Sequence, residues 1–175
     1  MRKFSLLVVL IAGFALVGCS DDERENAERV FSSVRVDLGF GIKDFNRGSR
    51  AIRNLNGTDA EFYFRSAGRS FLTASASAGA LDFQVTEHVD DAHSIPVYVS
   101  SDLAEYAEAL EDAATSMEYM AKALQETTYV DPTDDPDVQE NYAEASDAIY
   151  DASASSANYA LDVFDLPSVR TPELP

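Results

Sequence analysis

Residues 87–93 contain the densest group of potential metal ligands in this 175-residue chain. They read Glu87-His88-Val89-Asp90-Asp91-Ala92-His93, and imidazole and carboxylate groups bind zinc and other divalent ions. The two histidines are not at the i, i+4 spacing that places both on one face of a helix. A histidine at a helix end interacts favourably with the macrodipole, and acidic loop residues are commonly solvated. We therefore predict no metal site here.

The rest of the chain offers little for catalysis. It has no tryptophan, one cysteine and two histidines. A serine–histidine–aspartate triad can be drawn from its many serines and 31 acidic residues, but neither a nucleophile-elbow motif nor a phosphate-binding glycine loop accompanies it. Met117 and Met120 are possible haem ligands, but the chain has no Cys-X-X-Cys-His attachment site, so we predict that they pack in a core. The sequence predicts no enzyme and no cofactor.

The only cysteine follows an apolar run at the start of the chain. Arg2 and Lys3 precede the mainly apolar residues 4–17, which is the order of an export signal. The run is shorter than the roughly 20 residues of a membrane-spanning helix, and acidic residues follow it instead of a cationic stop-transfer cluster. Its last residues, Leu16-Val17-Gly18-Cys19, resemble the lipobox of bacterial lipoproteins.

The lipoprotein resemblance implies that residues 1–18 are a cleaved signal peptide and that a lipid is joined to the Cys19 thiol. Two or more acyl chains give stable anchoring where one chain is marginal. Ser20 follows the cysteine where enteric lipoproteins retained in the inner membrane have aspartate, so the resemblance implies the periplasmic face of the outer membrane. With its one cysteine lipidated, the mature chain would contain no intramolecular disulfide.

Residues 19–175 show one strong pattern, apolar or small residues at alternating steps of three and four, which predicts helices. The first stripe comprises Phe31, Val34, Leu38, Ile42, Phe45, Ser49, Ile52 and Leu55. The second comprises Phe64, Ala67, Phe71, Ala74, Ala78, Leu81, Val85 and His88. The third comprises Leu103, Tyr106, Leu110, Ala113, Met117, Met120 or Ala121, and Leu124. The fourth comprises Val138, Tyr142, Ala145, Ile149, Ala152, Ser156, Tyr159 and Val163.

The segments between the stripes set the predicted helix ends. Asn56-Gly57 is a helix-stop signal, and Thr58 or Asp59 is the expected cap of the second helix. Residues 97–99, after Pro96, are expected to be extended, and the prolines at 167, 172 and 175 predict a nonhelical tail. Glycine weakens helices by about 1 kcal/mol relative to alanine, so a kink or break is expected at Gly39, Gly41, Gly68 or Gly79.

Four stripes of similar length joined by short connections predict an all-α fold. We expect one domain, an antiparallel up-down-up-down four-helix bundle that begins close to Cys19, so that the lipid tether is short. Up-down topology places the first and third turns at the same end of the bundle. At that end we expect cations to face the acidic third turn. The cations are Lys43, Arg47, Arg50, Arg53, Arg65 and Arg69, and the acidic residues are Asp131, Asp134, Asp135 and Asp137.

Charge is divided unevenly along the chain, whose formal net charge is −18. Residues 21–56 contain seven basic and seven acidic residues, whereas residues 91–175 contain 19 acidic residues against Lys122 and Arg170. This balance argues against nucleic-acid binding and against attraction to anionic lipid headgroups.

These observations predict a noncatalytic envelope lipoprotein that contacts the membrane through lipidated Cys19. Its bundle would bind another envelope protein as a scaffold or assembly accessory. The alternative is a lipoprotein that binds a small ligand or a divalent metal. Its ligands would come from Glu87, His88, Asp90, Asp91 and His93, or the ligand would enter a cavity between the alanine-rich helices.

Overall fold

The computed structural model describes residues 21–88, 95–155, 166 and 168–170, and this part of the chain contains four α-helices and no strand. The helices are α1 (Asp21–Arg53), α2 (Gly57–His88), α3 (Ile95–Glu126) and α4 (Pro136–Ser155), with a 3-10 turn at Pro132–Asp134 before α4. The all-helical prediction is confirmed. The signal peptide, Cys19 and residues 171–175 lie outside the described residues.

Where the structure describes side chains, the buried core follows the predicted stripes. The side chains of Leu81, Val85 and His88, and all of Ser156, Tyr159 and Val163, lie outside that part of the chain. Its largest fully buried side chains are Phe45, Phe64, Phe71, Leu38, Ile42, Ile52, Leu103, Leu110, Met117, Met120, Val34 and Val138. Burying a large apolar side chain contributes roughly 1.5–3 kcal/mol, so these residues supply most of the folding free energy. Leu55 departs from the prediction, because its side chain is 54% exposed.

The helices α1 and α2 pack closely because glycines on α1 receive phenylalanine rings from α2. A Cβ atom on Gly48 would lie 2.7 Å from Cε1 of Phe64, and a Cβ on Gly41 would overlap the ring of Phe71. Phe64 also meets Phe45 edge to face, with ring centroids 5.1 Å apart. Both helices continue through their glycines. A break at Gly39, Gly41, Gly68 or Gly79 is therefore wrong, and at Gly41 burial of the Phe71 ring offsets the low helix propensity of glycine.

A three-residue turn joins α1 to α2. The amide of Asn56 donates to the carbonyl of Ala51 at 2.9 Å, and that of Leu55 donates to Ile52 at 2.8 Å. These two bonds form a Schellman motif, in which Leu55 adopts the left-handed conformation with φ of 53°. Asn56 then caps α2, because its Oδ1 accepts from the amide of Asp59 at 3.1 Å. Thr58 and Asp59 were the expected caps, and both lie inside the helix.

The start of α3 corrects a second prediction. Residues 97–99 are helical, because α3 begins at Ile95 and Pro96 occupies its first turn. Proline is tolerated there, since the first amides of a helix have no intrahelical acceptor. The same rule places Pro136 at the first position of α4.

Each helix packs against the next one in the sequence. Within the described ranges α1 and α4 have no extensive contact with each other. Leu166 and Ser168–Arg170, which we call the C-terminal strap, lie instead against α1. Asn46 donates from Nδ2 to the carbonyl of Ser168 at 3.4 Å, and its Oδ1 accepts from the amide of Arg170 at 3.2 Å. Leu166 and Val169 are half-buried against the core.

Candidate functional site

The first turns of α2 meet the last turns of α3 at one end of the molecule, which we call the α2–α3 end. Gly57 is buried there, and a Cβ on it would lie 2.8 Å from the carbonyl oxygen of Ala121. Thr58 donates from its hydroxyl to Oε1 of Gln125 at 3.1 Å. Glycine is needed at this position because the two backbones approach so closely.

A ladder of charged and amide side chains links α2 to α3 beside this contact. Arg65 donates from Nε to Oε1 of Glu118 at 3.1 Å and also pairs with Glu61. Lys122 reaches the same Glu118 oxygen at 2.7 Å. Gln125 completes the ladder by donating to Glu61 at 3.0 Å. Two cations and two carboxylates therefore neutralise one another along the seam.

The electrostatics of the ladder centre on Glu118. Partial burial raises the pKa of this carboxyl, but hydrogen bonds from Lys122 and Arg65 outweigh burial and hold the pKa below its usual value. The same carboxylate raises the pKa of Arg65 and of Lys122, chiefly through its hydrogen bonds. All these groups stay charged near neutral pH. The ladder joins the two helices α2 and α3.

Exposed apolar side chains gather around the α2–α3 end. Nine large apolar side chains are exposed among the described residues, and five of them lie on or beside this end. The five, which we call the apolar end surface, are Leu55, Phe62, Tyr119, Tyr129 and Val130. Phe62 is 66% exposed although it precedes the buried Phe64 by only two residues. Several exposed apolar groups at one end of a molecule are a feature of interaction surfaces.

The acidic third turn does not make the predicted ion pairs. Asp131 accepts instead from the amide and hydroxyl of Thr133, at 3.0 and 2.7 Å, and these bonds lower its pKa. Asp135 accepts from the amide of Asp137 at 2.9 Å. Its pKa is lowered mainly by a hydrogen bond from the side chain of Thr127. No ion pair among the described residues joins these aspartates, or Asp134, to a cation.

The predicted cations have other partners or none in the part of the chain described. Arg47 pairs with Asp44 at 3.0 Å and lies over the ring of Tyr63, and Arg65 belongs to the ladder. For Lys43, Arg50, Arg53 and Arg69 no ion pair occurs among the described residues. The contacts of Arg47 and Arg50 are local, with the Asp44 carboxylate and the Asn46 carbonyl on α1, whereas the contact of Arg65 with Glu118 crosses to α3.

The potential metal ligands and the methionines have separate positions. Glu87 and His88 are in the last turn of α2, whereas Asp90, Asp91 and His93 lie outside the described residues. Within the described ranges no group of three or more potential ligands is close enough to hold a metal ion. Met117 and Met120 are both fully buried in the apolar core of the bundle.

The start of α1 bears on the predicted lipid anchor. Cys19 lies outside the described residues, and α1 begins at Asp21, two positions later. None of the helices, as far as their residues are described, combines the length and apolar character needed to cross a bilayer.

No protein-family model, curated protein or solved structure matches the chain. The apolar end surface is therefore supported as an interaction site by its geometry alone. Sequence periodicity did not predict it, although a usable signal existed, since Phe62 and Tyr119 are aromatic residues at positions outside the helical stripes.

Proposed function

We propose that this protein is a noncatalytic bacterial envelope lipoprotein that binds another envelope protein through the apolar end surface. One observation carries the proposal: most of the exposed large apolar side chains of the described residues lie at a single end. Such a concentration of aromatic and aliphatic groups supplies the apolar centre of a protein interface. The charged ladder beside it holds α2 and α3 in a fixed relation, so the surface is preorganised.

We further infer that the four helices run alternately up and down. Two observations on α1, α2 and α3 support this topology. Gly41 meets Phe71 while Gly48 meets Phe64, so positions rise along α1 as they fall along α2. The pairs Thr58–Gln125 and Arg65–Glu118 have the same relation between α2 and α3. With Asp21 at one end of α1 and Arg53 at the other, its 33 residues span about 50 Å at a rise of about 1.5 Å per residue.

A lipid on Cys19 would hold the opposite end of α1 at the membrane, on the periplasmic face of the outer membrane. The apolar end surface would then project about 50 Å from the lipid if α1 stands upright. Anchoring by acyl chains suits a chain with a net charge of −18, because anionic headgroups would repel its surface. The interaction surface and the anchor thus occupy the two ends of one helix.

Photo-crosslinking tests the interaction. The full chain is expressed in bacterial cells with p-benzoylphenylalanine replacing Phe62, and separately replacing Tyr150, which is 72% exposed on α4 and serves as the control. We expect Phe62→p-benzoylphenylalanine to give a discrete cross-linked product with one envelope protein, and the Tyr150 variant to give far less. Equal cross-linking from both positions, or none from position 62, would contradict the proposed function.

The anchor is tested separately from the interaction. Cys19→Ala should abolish lipid incorporation, measured as the mass of the mature chain, and should release the protein from the membrane fraction. Its helical content and its urea unfolding midpoint should match those of the unaltered mature chain. Membrane association that survives this substitution would refute the lipid anchor while leaving the interaction surface to be judged by the cross-links.

A further inference from the structure

An open groove of about 380 Å³ follows the outer side of α1 next to the C-terminal strap. Its described lining includes Arg35, Val36, Gly39, Phe40, Lys43 and Leu166. Five of these six residues lie on α1, and Leu166 forms the wall contributed by the strap. The groove is separate from the apolar end surface.

The floor of the groove is apolar and unusually exposed. Val36 and Phe40 are one helical turn apart, and their side chains are 50% and 56% exposed. Gly39 has no side chain, so it leaves a recess between them and Leu166, whose Cδ2 would lie 3.5 Å from a Cβ at this position. Together with this recess, the open groove of about 380 Å³ has room for an apolar side chain from another segment.

Two cations flank this apolar floor. Arg35 and Lys43 are exposed and lie eight residues apart on α1, a separation of about 12 Å along the axis. Within the described residues neither has an ion pair, although the chain as a whole has a net charge of −18. The protein has many carboxylates, yet none of the described ones forms an ion pair with Arg35 or Lys43.

We propose that this groove binds an acidic segment of a partner protein, with an apolar side chain in the recess and carboxylates at Arg35 and Lys43. The inference rests on the proposed function as an interaction module and adds a second contact, with its chemistry, on α1. An open, elongated groove suits a protein segment, since small-molecule sites usually enclose most of their ligand. Charge complementarity favours an acidic partner because mismatched charges across an interface are costly.

Site-specific cross-linking in cells tests the groove. The full chain with Phe40→p-benzoylphenylalanine is irradiated, and the cross-linked peptide is identified by mass spectrometry. We expect a segment of another protein that has at least two carboxylates within ten residues of the cross-linked position. Adding Arg35→Glu and Lys43→Glu should lower the yield at least tenfold. The matched control Arg69→Glu, an exposed arginine on α2, should leave the yield unchanged.

Every other result overturns the groove proposal. These results are the absence of a cross-link, a product with residues 161–165 of the same chain, a product with a second copy, a lipid adduct, and a yield insensitive to the charge reversals. The cross-link from position 62 separates this proposal from the proposed function. If that product persists while the one from position 40 fails, only the groove is wrong. If the position 62 product alone fails, the apolar end surface is wrong.

Discussion

Leu55 occupies a backbone conformation that L-amino acids seldom adopt. Leu55 has a φ of 53° and occupies the position of the Schellman motif at which glycine is usual. The left-handed conformation costs a non-glycine residue about 1–2 kcal/mol. Burial of the Leu55 side chain does not offset this cost, because the side chain is 54% exposed. Strain retained at an exposed apolar residue is typical of a functional surface.

Replacing Leu55 should separate stability from binding. We expect Leu55→Gly to raise the free energy of unfolding by up to about 1 kcal/mol, since relief of the left-handed strain exceeds the added entropy of the unfolded chain. Urea denaturation measures this change. The same variant should reduce the cross-link from position 62. Leu55→Ala is the control, because it removes the side chain but keeps the strain. A glycine variant less stable than the alanine variant would contradict this account.

Tyr106 is a buried phenol whose ionisation should couple to folding. Its side chain is 3% exposed, and burial raises its pKa to about 12. An unfolded tyrosine ionises at a pH of about 10, so the native state keeps a proton that the unfolded state loses. The stability contributed by neutral Tyr106 is therefore complete below a pH of about 10 and is lost as the pH rises to about 12.

The pH dependence can be assigned to this residue by comparison with Tyr106→Phe. Between pH values of about 10 and 12 the unaltered chain should lose roughly 2–3 kcal/mol more unfolding free energy than the variant. Urea unfolding followed by circular dichroism at several pH values measures the difference. Parallel pH profiles for the two proteins would show that Tyr106 ionises as easily in the native state as in the unfolded chain.

At the scale of elements, α1 and α2 are held together by rings that fit over glycines. The Phe64 ring occupies the space that a side chain on Gly48 would need, as Phe71 does at Gly41. Periodicity predicted which phenylalanines are buried but treated glycines only as weak points. Their role depends on how two helices approach each other, which a one-helix pattern does not contain.

Alanine substitutions at two of the glycines should therefore change the unfolding free energy in opposite directions. Gly48→Ala should lower the unfolding free energy by about 1–3 kcal/mol, because its methyl group would meet the Phe64 ring. Gly79→Ala should raise that energy by up to about 1 kcal/mol, since no atom lies within 4 Å of a Cβ there and alanine favours the helix. Thermal and urea unfolding measure both. Equal effects at the two positions would contradict the packing.

The helix ends were harder to predict from sequence than the helix faces. Stripes on α1 and α3 matched the buried residues because one period describes a whole helix. The expected extended segment at residues 97–99 failed because Pro96 fits in a first helical turn as readily as in a loop. The sequence predicts a helix stop at Asn56-Gly57, whereas the residue in the left-handed conformation is Leu55. Each end depends on a few competing hydrogen bonds.

At the scale of the whole molecule, the C-terminal strap covers a flank of α1 that α4 leaves uncovered. Asn46 holds the strap with both atoms of its amide, accepting from Arg170 and donating to Ser168. Ser49 adds a longer hydrogen bond to the carbonyl of Arg170 at 3.5 Å. No periodicity indicates such a contact, because the strap is short and irregular and its partner is more than 100 residues away.

Removing this amide should loosen the strap. Asn46→Ala should lower the unfolding free energy by about 1 kcal/mol and speed release of C-terminal residues by carboxypeptidase. Asn46→Asp is the control, because its carboxylate still accepts from the Arg170 amide but donates nothing, so its effect should be smaller. Unchanged carboxypeptidase release in the alanine variant would show that the strap is held by other contacts.

The candidate site was only partly predictable, because its contacts also join residues that are far apart in the sequence. Sequence analysis named Arg65 among the cations expected to face the acidic third turn, whereas Arg65 links α2 to α3. It missed Glu118 as the acceptor, because a partner 53 positions away cannot be read from local spacing. The aspartates of the acidic turn instead accept hydrogen bonds from nearby groups, Asp131 from Thr133, and Asp135 from Thr127 and Asp137. Long-range pairs depend on the register of packed helices, which composition does not specify.

The contact between Asn46 and Arg170 spans 124 positions, and this distance has a consequence for the order of folding. Helices and neighbouring helix pairs form from nearby residues, whereas closing so long a loop is entropically slow and is rewarded only once its ends meet. We expect the strap to attach last, after α1, α2 and α3 have packed. During synthesis, one side of the first helix therefore stays uncovered until residues 166–170 have been made.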